Sequence, residues 1–179
     1  MIPKRIAIFD LDGTLIETDA ANTAAYNAAL RQAGVGEFAG IYGRVSSSVV
    51  QAAKALSDSD MDAVIKKKIE AYCHELWRTR LGPAANALSC ILLNKRDFDK
   101  VVLLTDSVER RAMETLKFHG IQECFDEIVC NGGSGNKYAN YFKHFDSNPA
   151  ACVVWENEYK QVQSAIAAGV NVKNIRKVG

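Results

Sequence analysis

No stretch of this chain stays apolar long enough to cross a bilayer. The run from Ile6 to Phe9, behind Lys4 and Arg5, stops at Asp10 and is far too short for a signal peptide. Net charge is lacking too. Lys and Arg number 22 against 21 Asp and Glu, a formal +1. That balance gives no general pull toward nucleic acid or an anionic membrane, so an anionic ligand must be attracted locally. The cysteines number 5 (Cys73, Cys90, Cys124, Cys130 and Cys152), and no two stand at C-x-x-C spacing. An odd, scattered set argues against a zinc site or a disulfide framework and for reduced thiols in the cytoplasm. His74, His119 and His144 are too far apart for ligand spacing and read as structural or surface residues. There is no internal repeat and no low-complexity segment.

The remainder is ordinary for a globular chain of 179 residues, with 48% hydrophobic and 24% charged residues. Such a length forms a core without staples. Short apolar runs alternate with helical patterns. Ile6–Phe9, Val101–Leu104, Ile128–Cys130 and Cys152–Trp155 read as buried strands, with Val170–Ile175 as a fifth. Helices are predicted over Ala84–Asn94, around Val108–His119, over Tyr138–Phe145 and over Tyr159–Ala168, with Gly120 and Gly169 as stops. This alternation predicts an α/β fold with a Rossmann-like parallel sheet.

One interval breaks the rhythm. From Glu17 to Arg80 no strand stands out, and helices are expected from a cap at Asp19 to Ala33, over Ser46–Leu56 and over Asp60–Arg80. Gly34, Gly36, Gly40, Gly43 and Gly82-Pro83 mark the joints. The expected organisation is a core of residues 1–16 and 81–179 with a helical insert, 17–80. Lys66, Lys67 and Lys68 read as a solvated helix face, and Tyr72 and Trp77 as packing within the insert.

The chemistry concentrates at Asp10-Leu11-Asp12-Gly13-Thr14, directly after the first strand. Ligands of open α/β sheets bind outside the carboxyl ends of the strands. Gly13 lets the chain turn sharply. Two carboxylates this close repel unless a cation or a proton is shared, and a hard cation such as Mg²⁺ prefers such oxygen ligands. The segment Asn131-Gly132-Gly133-Ser134-Gly135 lacks the ending of a P-loop and the spacing of a dinucleotide fingerprint, so it reads as a loop.

The stretch Ile8-Phe9-Asp10-Leu11-Asp12-Gly13-Thr14-Leu15 resembles the first motif of the haloacid dehalogenase superfamily. Leu103-Leu104-Thr105-Asp106-Ser107 resembles the second motif, and Gly135-Asn136-Lys137-Tyr138 the third, with Tyr138 where a proline often stands. The resemblance covers nearly the whole chain, and the insert is similar to the helical cap of the phosphatase-like branch. It implies a Mg²⁺-dependent phosphoric monoester hydrolase acting on a small phosphorylated metabolite in the cytoplasm. In such a site Asp10 attacks phosphorus, forming an aspartyl-phosphate, and Asp12 exchanges protons with the leaving oxygen and then with water. Thr105, Asp106 with its neighbouring backbone N–H groups, and Lys137 would bind the phosphoryl oxygens.

The fourth motif departs from the family pattern. Counting back from Ala168-Gly169, Asn157 takes the place of the metal-binding acid and Gln161 that of a second acid, while Glu156 replaces a glycine. The implied metal set is thus Asp10, Asp12 through its main chain, and Asn157, with Glu156 or Glu158 as substitutes if the loop is shifted. An amide oxygen can ligate Mg²⁺ but brings no charge. Two alternatives stay open at this point: a phosphosugar mutase using the same aspartate pair, and a non-catalytic binding or regulatory protein on the same scaffold. Lys54 is a candidate for the cap lysine of phosphonate-cleaving relatives by location only.

Overall fold

The computed structural model describes residues 5–38, 45–94, 97–145 and 147–179; Gly40 and Gly43 lie outside them. In chain order the elements are β1 (Ile6–Phe9), β2 (Ile16–Glu17), α1 (Asp19–Gln32), α2 (Ser47–Lys54), α3 (Asp58–His74), β3 (Arg80–Leu81), α4 (Ala85–Leu93), β4 (Lys100–Thr105), α5 (Glu109–Phe118), β5 (Glu127–Cys130), α6 (Lys137–Phe145), β6 (Cys152–Glu156), α7 (Tyr159–Ala167) and β7 (Ile175–Lys177). The chain divides into two compact units, residues 1–16 with 81–179, and residues 17–80.

The first unit is a five-stranded parallel sheet in the order β5-β4-β1-β6-β7. β1 pairs with β4 on one side, Phe9 opposite Leu103, and with β6 on the other, Phe9 opposite Trp155. Alternation along each strand feeds two cores. Ala7, Phe9, Val101, Leu103, Val153 and Trp155 pack with Leu88, Ala112 and Leu116 on the α4 and α5 face. Ile6, Ile8, Val102, Leu104 and Val154 pack with Tyr138, Tyr141, Phe142 and Ala165 on the α6 and α7 face. Burial on both faces is why β1, β4 and β6 carry the unbroken apolar runs Ile6–Phe9, Val101–Leu104 and Cys152–Trp155. The Phe9 and Trp155 rings stack at 4.4 Å.

The chain leaves β1 for one side of the sheet and later crosses to the other. The carboxyl end of β1 is thus the point where the strand order reverses, the place where α/β sheets bind ligands. The last strand differs from expectation. Val172–Asn174 forms a 3₁₀ turn, and the strand begins only at Ile175. It is an edge strand with Arg176 and Lys177 exposed, so it carries no continuous apolar run.

The second unit is helical. Buried Ala29, Leu30, Val45, Val50, Met61 and Val64 form one cluster, and Ala21, Ala25, Ala71, Tyr72 and Leu76 another. Thr18, not Asp19, is the N-cap of α1, and Asp19 adds its charge to the first turn. Ser46 caps α2 by accepting from Val49 N–H. Ser57 likewise starts α3 two residues earlier than predicted, and α3 ends at His74, followed by a 3₁₀ turn over Leu76–Arg78. Two expectations fail in this unit. Lys68 is buried, with its ammonium 4.9 Å from the Tyr26 ring and 5.8 Å from that of Tyr72. Trp77 is 65% exposed, with the Arg78 guanidinium 4.1 Å over its ring. The Lys54 ammonium lies 2.5 Å from the Glu37 carbonyl oxygen.

Candidate active site

Asp10 is the first residue past β1, and its N–H still donates to the Trp155 carbonyl at 3.1 Å. The sheet therefore fixes its backbone. The chain then folds back on itself. Leu15 and Ile16 N–H both donate to the Leu11 carbonyl at 3.0 Å, and Gly13 N–H donates to that of Ile16 at 2.7 Å. Gly13 sits at φ +78°, a conformation that disfavours other residues. It is required for a second reason. A Cβ there would stand 2.2 Å from the Asn157 side-chain nitrogen, so the missing side chain makes the cradle in which Asn157 rests. From it, Asn157 Oδ1 accepts from the Thr14 hydroxyl at 3.2 Å.

The α6 helix brings in the cation. Lys137, its first residue, is buried, and its Nζ lies 2.6 Å from Asp10 Oδ1 and 3.0 Å from Glu156 Oε2. Glu156, the last residue of β6, is fully buried. Besides Lys137 it accepts from the Tyr138 hydroxyl at 2.8 Å and from the N–H groups of Asn157 and Glu158 at 3.0 and 3.1 Å. Its charge is thus paired and both oxygens are satisfied, as burial demands. Burial pushes the Asp10 carboxyl up to about 7; Lys137 opposes this, while Glu156 and Asp12 add to it. Burial alone would lower the Lys137 pKa, but Asp10 and Glu156 outweigh it and hold the ammonium above its ordinary value. Tyr138 is likewise raised, by burial and then by Glu156.

Asp12 has a cation of its own. Arg111, on the first turn of α5, pairs through Nη2 with Asp12 Oδ1. The Ser107 hydroxyl donates to Asp12 Oδ2 at 2.5 Å and accepts from Arg111 Nη1 at 3.0 Å. Thr105, at the end of β4, is buried, and its Oγ1 accepts the Ser107 N–H at 3.1 Å. The Asp106 carboxylate accepts from Asn131 Nδ2 at 2.8 Å and from Gln161 Nε2 at 2.7 Å. An acid at position 161 would repel Asp106, so the amide suits its neighbour.

The carboxyl ends of β1, β4 and β6 and the start of α6 thus bring Asp10, Asp12, Lys137 and Asn157 together, with Thr105 joined through Ser107. The Asp106 side chain is turned toward amides, so any phosphate contact from this residue falls to its backbone. Ser107 and Tyr138 stand in the second and third motifs without a role legible from the sequence, and Arg111 lies outside every motif. Arg111 stands four residues after Ser107, one helical turn on, and resembles any solvated helix arginine. Glu156 faces Lys137 and the turn after β6. Lys137 also walls a cavity of about 610 Å³ beside β5, lined further by Cys130, Asn131, Asn140, Tyr141 and His144 but by neither Asp10 nor Asp12.

The oxygens that would serve a divalent cation are the Asp10 carboxylate, the Asp12 carbonyl and the Asn157 side-chain oxygen, which the Thr14 hydroxyl meets at 3.2 Å. These are hard oxygen donors of the kind Mg²⁺ accepts. The described residues contain no cluster of three His, Cys, Asp or Glu side chains suited to a metal. The set fits Mg²⁺, but with little negative charge.

A family model described as haloacid dehalogenase-like hydrolase matches residues 7–175. No curated protein matches the sequence. Among solved structures, the fold is similar to a haloacid dehalogenase-like family hydrolase from Streptococcus pneumoniae, 15% identical, with TM-score 0.70 over 96% of this chain and 84% of that one. It is also similar to CbbY from Rhodobacter sphaeroides in complex with phosphate, 17% identical, with TM-score 0.71 over 94% of this chain and 84% of that one. A point mutant of the same protein in complex with xylulose-1,5-bisphosphate is 16% identical, with TM-score 0.74 over the same shares. At these identities the likeness concerns the fold.

Proposed function

The chain belongs to the haloacid dehalogenase-like hydrolase family, and from that premise we propose that it is a Mg²⁺-dependent phosphatase. Its substrate is a small phosphorylated metabolite, cleaved through an aspartyl-phosphate on Asp10. The observation that carries the reading is the Lys137 ammonium 2.6 Å from Asp10, within the turn that also holds Asp12. A buried carboxylate beside a fixed cation, at the carboxyl end of a parallel sheet, suits attack on an anionic phosphoryl group.

Asp10 attacks phosphorus, its carboxylate oxygen forming the new bond as the ester oxygen leaves. Asp12 gives that oxygen a proton, then takes one from the water that cleaves the acyl phosphate. Lys137 stabilises the charge on the phosphoryl oxygens during both displacements. The Thr105 hydroxyl already accepts from Ser107 N–H, which leaves its hydrogen for a phosphoryl oxygen. The Asp106 N–H is a further donor. Mg²⁺, held by Asp10, the Asp12 carbonyl and Asn157, would supply positive charge against which a phosphate dianion can approach the carboxylates. In this reading residues 17–80 are a cap that selects the substrate, and the protein works in the cytoplasm. That the CbbY structures hold phosphate and a sugar bisphosphate supports a phosphorylated ligand.

The test is phosphate release from p-nitrophenyl phosphate with Mg²⁺ and with a chelator. Release that depends on Mg²⁺ is expected. A binding or regulatory protein would release none under either condition.

A further inference from the structure

We propose that Arg111 and Ser107 are positioning residues that aim Asp12 at the leaving oxygen. The inference rests on the phosphatase reading and adds to it two residues outside the aspartate pair and Lys137. Arg111 could lie along solvent, as an arginine on the first turn of a surface helix ordinarily does. Its side chain is instead only 13% exposed and is spent on a carboxylate that is itself 7% exposed. Burying an ion pair yields little net stability, because desolvation cancels much of the attraction. What such a pair does supply is direction.

The geometry here is a closed ring. Arg111 Nη2 holds one Asp12 oxygen, Ser107 Oγ holds the other at 2.5 Å, and Arg111 Nη1 closes the ring on Ser107 at 3.0 Å. With both oxygens held, rotation of the Asp12 carboxylate breaks at least one bond. The ring is tied to β4, because Ser107 N–H donates to Thr105 Oγ1 at 3.1 Å. Asp12 is therefore set against the residue proposed to hold the phosphoryl group. The two cations also divide the carboxylates: Lys137 holds Asp10, and Arg111 holds Asp12. A proton donor must lie within hydrogen-bond reach of its target, and small misplacements are costly.

The experiment compares two esters in single-turnover assays of the full chain with Mg²⁺. One is an alkyl phosphate, whose alkoxide leaves only with a proton. The other is p-nitrophenyl phosphate, whose nitrophenolate leaves without one. Arg111→Met keeps most of the side-chain stem and removes the guanidinium. It is expected to slow alcohol release about hundredfold, the lower range of general acid catalysis, while nitrophenolate release and KM change far less. Arg111→Lys, which lacks the fork, should recover only part of the loss. Adding Arg111→Met to Asp12→Asn should slow neither ester further. Ser107→Ala should show the same selectivity in smaller measure and serves as the second variant should Arg111→Met fold poorly. Equal slowing of both esters, or additive loss on top of Asp12→Asn, would overturn the positioning role and leave the phosphatase reading standing. Absence of release from either ester by the wild type would overturn both.

Discussion

The Lys137 ammonium lies 2.6 Å from the Asp10 carboxylate across 127 residues of chain. Even so, burial leaves the Asp10 carboxyl at about 7. The group is thus poised near neutrality, and its ionisation responds to whatever charge enters the site.

In protein free of divalent cation, Asp10 is therefore expected to titrate near 7. The nucleophilic carboxylate accumulates as pH rises through that value. The sign for stability is the reverse. The folded value lies above the ordinary 3.8, so the fold favours the protonated form. That contribution is complete at low pH and is lost as pH climbs from about 3.8 to about 7. Carboxyl carbon NMR of Asp10 against pH measures the midpoint, and Mg²⁺ should move it down. A midpoint in the ordinary carboxylate range without cation would contradict the burial argument.

Glu156 should matter to stability. It is fully buried, ion-paired with Lys137 and bonded to Tyr138 and two backbone N–H groups. Removing one partner of a buried pair costs about 3 kcal/mol. Because Asp10 still holds Lys137, Glu156→Gln is expected to lose somewhat less. A urea titration reads this as a lower midpoint at unchanged slope. An unchanged midpoint would show that Glu156 contributes no net stability.

The parts of this site that were legible in the sequence are those where pattern and chemistry coincide. β1, β4 and β6 are buried on both faces, so each appears as an unbroken apolar run, and Asp10-Leu11-Asp12-Gly13-Thr14 follows β1 directly. β7 was misplaced because an edge strand of three residues carries no such run. Lys68 and Trp77 were misread because helical spacing does not say which long side chain finds a partner. Arg111 was invisible for the same reason: its importance comes from the Asp12 carboxylate 99 positions earlier. Glu156 could not be assigned until the α6 helix brought Lys137 and Tyr138 against it.

Asn157 gives a prediction about the cation. Counted back from Ala168-Gly169, Asn157 is the residue proposed to take the place of the family's metal-binding acid, and an amide attracts the cation by lone pairs alone. Asn157→Asp is expected to lower the Mg²⁺ concentration for half-maximal activity by about tenfold, equivalent to roughly 1.4 kcal/mol. Titration of phosphate release against Mg²⁺ measures it. If Asn157→Asp changes nothing while Glu158→Gln abolishes the Mg²⁺ dependence, the ligand lies elsewhere in this loop.

The proposed reaction turns on a covalent phosphoryl bond to Asp10. Asp12→Asn protein should be mixed with p-nitrophenyl phosphate and Mg²⁺, quenched in acid, and analysed by peptide mass spectrometry. The good leaving group allows the first displacement, while the amide cannot activate water for the second. One added phosphoryl group is expected, located on Asp10, and none once Asp10→Asn is introduced as well. An enzyme whose Asp10→Asn form folds and still releases phosphate at the wild-type rate, with no phosphoryl group on Asp10 in the Asp12→Asn protein, would contradict it.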